Sequence, residues 1–126
     1  MAFGIKLPDP SAFPAAYRQQ FNELGYVRIP GFINADEVAM IHENLNRVIA
    51  EVVPTRPVND VFYDDKTDKS SLKQLIRLYQ YDDFFEQLYL KSRFFELAEF
   101  LLGRFVVGRN MQYFNKPPGV GQATPP

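Results

Sequence analysis

Apolar residues recur at helical spacing in four stretches of the chain, with short alternating runs between them. Phe13, Tyr17, Phe21 and Leu24, spaced four, four and three apart, share one face of a predicted helix that Ser11 caps. Pro14 falls in its first turn, where a missing N–H costs little. Gly25 is the natural stop, because the left-handed residue that ends many helices is unstrained only for glycine. Residues 26–29 alternate briefly as a short strand, closed by Pro30 and Gly31. The second helix is the best marked. Asn34 with Glu37 three residues on has the spacing of a capping box, and Val38, Ile41, Leu45, Val48, Ile49 and Val52 trace an apolar stripe that Pro54 and Pro57 end.

Residues 55–71 are polar, with Asp60, Asp64, Asp65, Asp68, Lys66 and Lys69 close together, and read as a long solvated surface loop with room for a short strand at 61–63. Loops of this length often lie over sites. Residues 72–81 mix aliphatic and polar side chains without a clear period, which leaves helix and strand open. Asp82 and Asp83 favour a helix start, with Phe84, Phe85, Leu88 and Tyr89 as its buried face. Ser92 recaps a following helix through Phe95, Leu97, Phe100, Leu101 and Leu102, stopped by Gly103. Residues 105–114 switch to a strand pattern, with polar groups on both faces: Arg109 and Tyr113 on one, Asn110 and Gln112 on the other. Residues 115–126 have no periodicity and read as an extended, turn-rich tail.

A length of 126 residues allows one compact domain, and 46% apolar content excludes general disorder. A formal charge of −1 gives no whole-chain field for nucleic acid or anionic lipid. The absence of cysteine excludes disulfides, thiolate metal clusters and cysteine nucleophiles. No apolar run approaches the ~18 residues of a membrane span, and the first nine residues lack the pattern of a secretory signal. The expectation is a soluble, cytoplasmic protein without nucleic-acid or membrane partners, its oligomeric state open.

The chemistry-bearing constellations are few. His42-Glu43 suggests the H-E-x-x-H zinc helix, but position 46 is Asn46, so the second imidazole is missing and His42 is read as structural. The acidic loop lacks the spacing and glycine of a calcium loop. Asp82 and Asp83 are a helix start rather than an acid/base pair, since neighbours on a helix point roughly 100° apart. Aromatic residues interleave with Arg77, Arg93, Arg104 and Arg109, as in a single-strand nucleic-acid platform, yet Phe84, Phe85, Phe94, Phe95 and Phe100 sit at spacings that pack a core. What stands out is the amide-bearing strand at 106–114. A polar cavity and a structural network satisfy its groups equally well.

The order of elements resembles a known family. Phe21-x-x-x-Gly25-Tyr26-Val27-x-Ile29-Pro30-Gly31-Phe32-Ile33, followed by the helix capped at Asn34, is similar to the opening of the phytanoyl-CoA dioxygenase family. Asn110-Met111-Gln112-Tyr113-Phe114-Asn115-Lys116-Pro117-Pro118-Gly119 resembles the strand and turn that lead into that family's iron motif. The resemblance covers nearly the whole chain and corresponds to the amino-terminal part of the family's domain. It implies a double-stranded β-helix that uses Fe(II), 2-oxoglutarate and O₂ to hydroxylate a small molecule, with iron in a two-histidine, one-carboxylate triad. Two of those ligands come from an H-x-D motif expected just after Pro126. The third ligand and the arginine that holds 2-oxoglutarate come from later strands.

The expectation is therefore an α+β amino-terminal portion, residues 1–126, with helices packed on the first strands of an incomplete jelly roll and inactive by itself. By resemblance, Gln112 lines the cosubstrate side of the pocket, Asn110 supports that wall, and the 72–78 segment adds Lys73 and Gln74. Neither His42 nor Arg109 fills a role in the triad or the cosubstrate clamp. The competing expectation is a non-enzymatic helical interaction module.

Overall fold

The helix signals in the sequence are local, and the computed structural model, which describes residues 13–103 and 105–119, follows them closely. Helix α1 spans Ala15–Leu24 and ends at Gly25, whose φ of 79° lets its N–H reach the Phe21 carbonyl at 2.8 Å. Pro14 occupies the cap position without a side-chain hydrogen bond, and Ser11 lies outside the described residues. Leu24 is exposed rather than on the packed face. Residues 26–29 pair with no strand among the described residues, so the short strand expected there does not form.

Helix α2, Ala35–Arg47, opens on a complete capping box: Asn34 Oδ1 accepts from the Glu37 N–H at 2.8 Å, and Glu37 Oε2 accepts from the Asn34 N–H at 3.0 Å. The apolar stripe continues beyond α2, but its hydrogen bonding changes. Val48–Val52 forms a wide π turn in which the Val53 N–H reaches back to the Val48 carbonyl, and Val53–Thr55 tightens to a 3₁₀ turn. Pro54 explains the change: it has no N–H to give the Ala50 carbonyl, and its ring crowds that position. Val38 falls off the stripe and is exposed.

Three short strands form one antiparallel sheet in the order β1-β2-β3: β1 Val61–Tyr63, β2 Leu72–Leu75 and β3 Tyr113–Phe114. The strand expected over 105–114 shrinks to two residues. Its partner β2 is only four residues long, and the ladder fades at the Leu78 N–H to Met111 carbonyl bond of 3.3 Å. Beyond Met111 nothing in the sheet is long enough to hold an extended chain, and Phe105 adopts a positive φ of 61°. Helices α3, Asp83–Leu90, and α4, Arg93–Leu102, start where the caps predict. Asp82 accepts from the Phe85 N–H, and Ser92 accepts from the Phe94 N–H while donating to the Leu88 carbonyl.

The core closes where the sheet meets the end of the second helix and α3. Val48 and Leu75 are fully buried, with Val53, Leu72, Leu78, Phe85 and Leu88 packed around them. Phe84 and Phe94 pack against this cluster, and Phe100 lies 5.4 Å from the Phe13 ring, so these aromatic residues serve packing. Arg93, 8% exposed, clamps α4 to the start of α2: it donates to Glu37 through both terminal nitrogens and to the Phe32 carbonyl through Nε at 2.9 Å. The Arg93 hydrogen bond holds the Glu37 carboxyl below its ordinary range, more than burial raises it. The fold is α+β.

Candidate functional site

Strand β2 sets up the site through an irregularity. Phe62 pairs with Gln74 and Tyr63 with Leu72, so Lys73 is an extra residue bulged out of register. The bulge resets the alternation. Leu72 and Leu75, three apart, both reach the core, and Lys73 and Gln74 between them both stand off it.

On the side away from the core, Phe62, Gln74 and Phe114 form one row across the three strands, and both phenylalanines are 44% exposed. Gln112, just before β3, accepts from Gln74 Nε2 at 2.7 Å. Lys73 pairs with Asp64 at 3.1 Å. Asn115 ties the same edge down, its N–H on the Lys73 carbonyl at 2.8 Å. Among the sequence-predicted residues, Gln112 and Gln74 thus share the open side of the sheet, while the Lys73 side chain, 17% exposed, turns to Asp64. Asn110 stands apart: it is exposed, and its Oδ1 accepts from the adjacent Met111 N–H at 2.8 Å.

The acidic loop divides into two kinds of carboxylate, and the reading of it as uniformly solvated fails at Asp60. Asp65 and Asp68 shape turns: each accepts from a backbone N–H and a hydroxyl two residues on, Thr67 for Asp65 and Ser70 for Asp68. The Thr67 hydrogen bonds hold the Asp65 carboxyl low. Asp60 instead is 5% exposed, with Oδ2 taking Arg56 at 2.9 Å and Oδ1 taking Arg77 at 2.6 Å. Those two guanidiniums, Arg56 first, hold its carboxyl below the ordinary range against the opposing effect of burial. Arg77 reaches Asp60 from a left-handed backbone, φ 54°. The Arg56 guanidinium lies 4.5 Å from the Tyr81 ring centroid, and burial pushes the Tyr81 hydroxyl up to about 12. Sequence reasoning missed this cluster because Pro57 lies between Arg56 and Asp60, in a loop where a spacing of four carries no helical signal, and Arg77 is distant in sequence.

A second feature lies between α3, α4 and residues 106–111, an apolar cavity of about 380 Å³. Tyr89 lines it with Leu88, Phe94 and Met111. Burial pushes the Tyr89 hydroxyl up from its ordinary value. Gly108 lies so close that a Cβ there would come within 2.6 Å of the Tyr89 ring, which would have to shift to admit it.

Residues 21–126 match the family model of phytanoyl-CoA dioxygenase, PhyH. The chain belongs to the phytanoyl-CoA dioxygenase family. No curated protein and no solved structure matches it.

Dioxygenases of this family generally depend on Fe(II) and 2-oxoglutarate. A two-histidine, one-carboxylate triad needs three side chains converging on one point with open positions left over. His42 is the sole histidine of the chain and is exposed on α2. Among the described residues no three histidine or carboxylate side chains converge, and near the sheet Asp60 and Asp64 already serve arginine and lysine partners. The residues present do not fit the iron. They do form a polar, aromatic-flanked sheet face. No helix among the described residues is long and apolar enough to cross a membrane.

Proposed function

We propose that this chain is the amino-terminal part of an Fe(II)- and 2-oxoglutarate-dependent dioxygenase domain that hydroxylates a small molecule in the cytoplasm, and that it furnishes one wall of the pocket rather than the metal centre. Its α+β body is then the first portion of an incomplete jelly roll, and the iron ligands come from outside these 126 residues. The observation that carries the proposal is the Gln74–Gln112 pair on the open face of the sheet, flanked by Phe62 and Phe114. Two amides outside the core, holding each other at 2.7 Å, keep donor and acceptor capacity for a ligand. Lys73, in the bulge beside Gln74, is the cation of this wall, and a 2-oxoglutarate carboxylate would compete with Asp64 for it. Nucleic acid and membranes are not partners in this reading.

By this reading the chain alone is inactive, since the chemistry belongs to metal and cosubstrate and the protein supplies binding and orientation. Incubation of the chain with Fe(II) and 2-oxoglutarate gives no iron-dependent decarboxylation; turnover above the protein-free control overturns the claim. The reading frame after Pro126 is the companion test. An H-x-D pair within a few codons is expected, and its absence counts against the assignment. In the extended domain, Gln112→Ala and Lys73→Ala each raise KM for 2-oxoglutarate by roughly tenfold, the loss of one hydrogen bond to a charged group. An unchanged KM in both removes Gln112 and Lys73 from the wall.

A further inference from the structure

The Asp60 cluster borders a cleft that shares only Phe62 with the sheet face proposed for 2-oxoglutarate. It lies between the turns of residues 53–60 and strand β1 and has a volume of about 340 Å³, within the range of small-molecule sites. Val53, Val58, Phe62 and Tyr63 give it apolar walls, and Val58 is 81% exposed at its mouth. Its polar groups are Arg56, Asn59 and Lys66; among the residues lining it two are cationic and none is anionic.

Those cations are differently held. Arg56 is fixed by Asp60 on one terminal nitrogen and by the Tyr81 ring beneath it, so its orientation is set before anything binds. Asp60 does not neutralise the cluster, because it is shared with Arg77 and the three groups together keep one positive charge. The Arg56 Nε is buried without a hydrogen-bond partner. Lys66 sits on an exposed turn and makes no ion pair among the described residues. One cation is preorganised and the other is free to close over a ligand.

We propose that this cleft binds a small amphipathic anion, an oxyanion head on an apolar body, with Arg56 and Lys66 at the head and Val53, Val58 and Phe62 around the body. The proposal goes beyond the oxygenase reading and does not depend on it, since it calls for neither iron nor 2-oxoglutarate. Carboxylate and phosphate monoester heads share the required chemistry.

The test is a titration of the isotopically labelled chain, followed by the backbone amide resonances of Asn59, Phe62 and Lys66. Phenylacetate and phenyl phosphate serve as the two anionic probes, phenylacetamide as the neutral one and inorganic phosphate as the head without a body. Saturable shifts at those amides are expected with at least one anionic probe, at least tenfold weaker with phenylacetamide, and absent with inorganic phosphate over the same range. Whichever anionic probe binds tighter names the head group. Lys66→Glu weakens that binding at least fivefold and leaves the thermal midpoint unchanged, because Lys66 supports nothing in the fold. Equal binding of phenylacetamide, saturation by inorganic phosphate alone, shifts confined to other residues, or a Lys66→Glu chain that binds as before each overturn the proposal.

Discussion

The two faces of the three-stranded sheet are made from the same strands and do opposite things. On one, Leu75 is fully buried against Val48, Leu78 and Phe85, with Val61 and Tyr113 paired to it across the strands. On the other, Phe62, Gln74 and Phe114 form the equivalent row and stay partly open, with Gln112 held by Gln74. The first face is what the fold depends on. The second holds aromatic and amide groups in place without asking them to hold anything else, and it is the side on which the proposed 2-oxoglutarate wall rests.

The comparison breaks most sharply if both faces respond alike to truncation. Leu75→Ala, on the closed face, costs about 3–4 kcal/mol by urea unfolding, since a fully buried leucine leaves a cavity the short strands cannot fill. A loss under about 1 kcal/mol contradicts a core centred there.

Asp60→Asn tests the margin where sheet and loop meet. Because the Asp60 carboxyl is held low in the fold, its stabilisation is complete above the unfolded value of about 3.9 and is lost as pH falls through the lower folded value. Urea midpoints measured from pH 7 to pH 2 therefore fall in acid for the natural chain and flatten in Asp60→Asn. The variant also loses about 1–3 kcal/mol at neutral pH, because two arginines lose their shared partner. Glu37, held low by Arg93, keeps part of the acid limb in both proteins.

Gly108→Ala probes how far the closed side extends. A methyl group 2.6 Å from the Tyr89 ring forces one of them to move, costing about 1–2 kcal/mol, whereas a neutral result means residues 106–111 are not seated on the helices. The smallest effect falls on the open face. Gln74→Ala or Gln112→Ala changes stability by no more than about 0.5 kcal/mol. A larger loss makes that pair structural.

What the sequence revealed follows the same division. Asn34 with Glu37, Asp82, Ser92 and Gly25 are signals that act within one turn of their own position, and each helix end forms where they place it. Strands depend on neighbours. Val61–Tyr63 finds β2, but residues 26–29 find no partner and 105–114 finds one for only two residues, so alternation alone overstated both. Gln112 was legible as a group that needs a partner, and the resemblance set Lys73 and Gln74 on the same wall. The bulge that places Lys73 and Gln74 side by side between two core leucines was not legible, because strict alternation does not anticipate it. Asp60 was hidden for a different reason: polarity in a loop looks the same whether a carboxylate meets water or two arginines.

The bulge at Lys73 also carries a lesson about chain length. With that residue removed, Leu72, Gln74 and Leu75 would read leucine in, glutamine out, leucine in, an ordinary strand with its core intact. Lys73 adds nothing to the leucine register, yet its carbonyl receives the Asn115 N–H and its ammonium meets Asp64, so one inserted residue fastens β2 to the chain on either side of it.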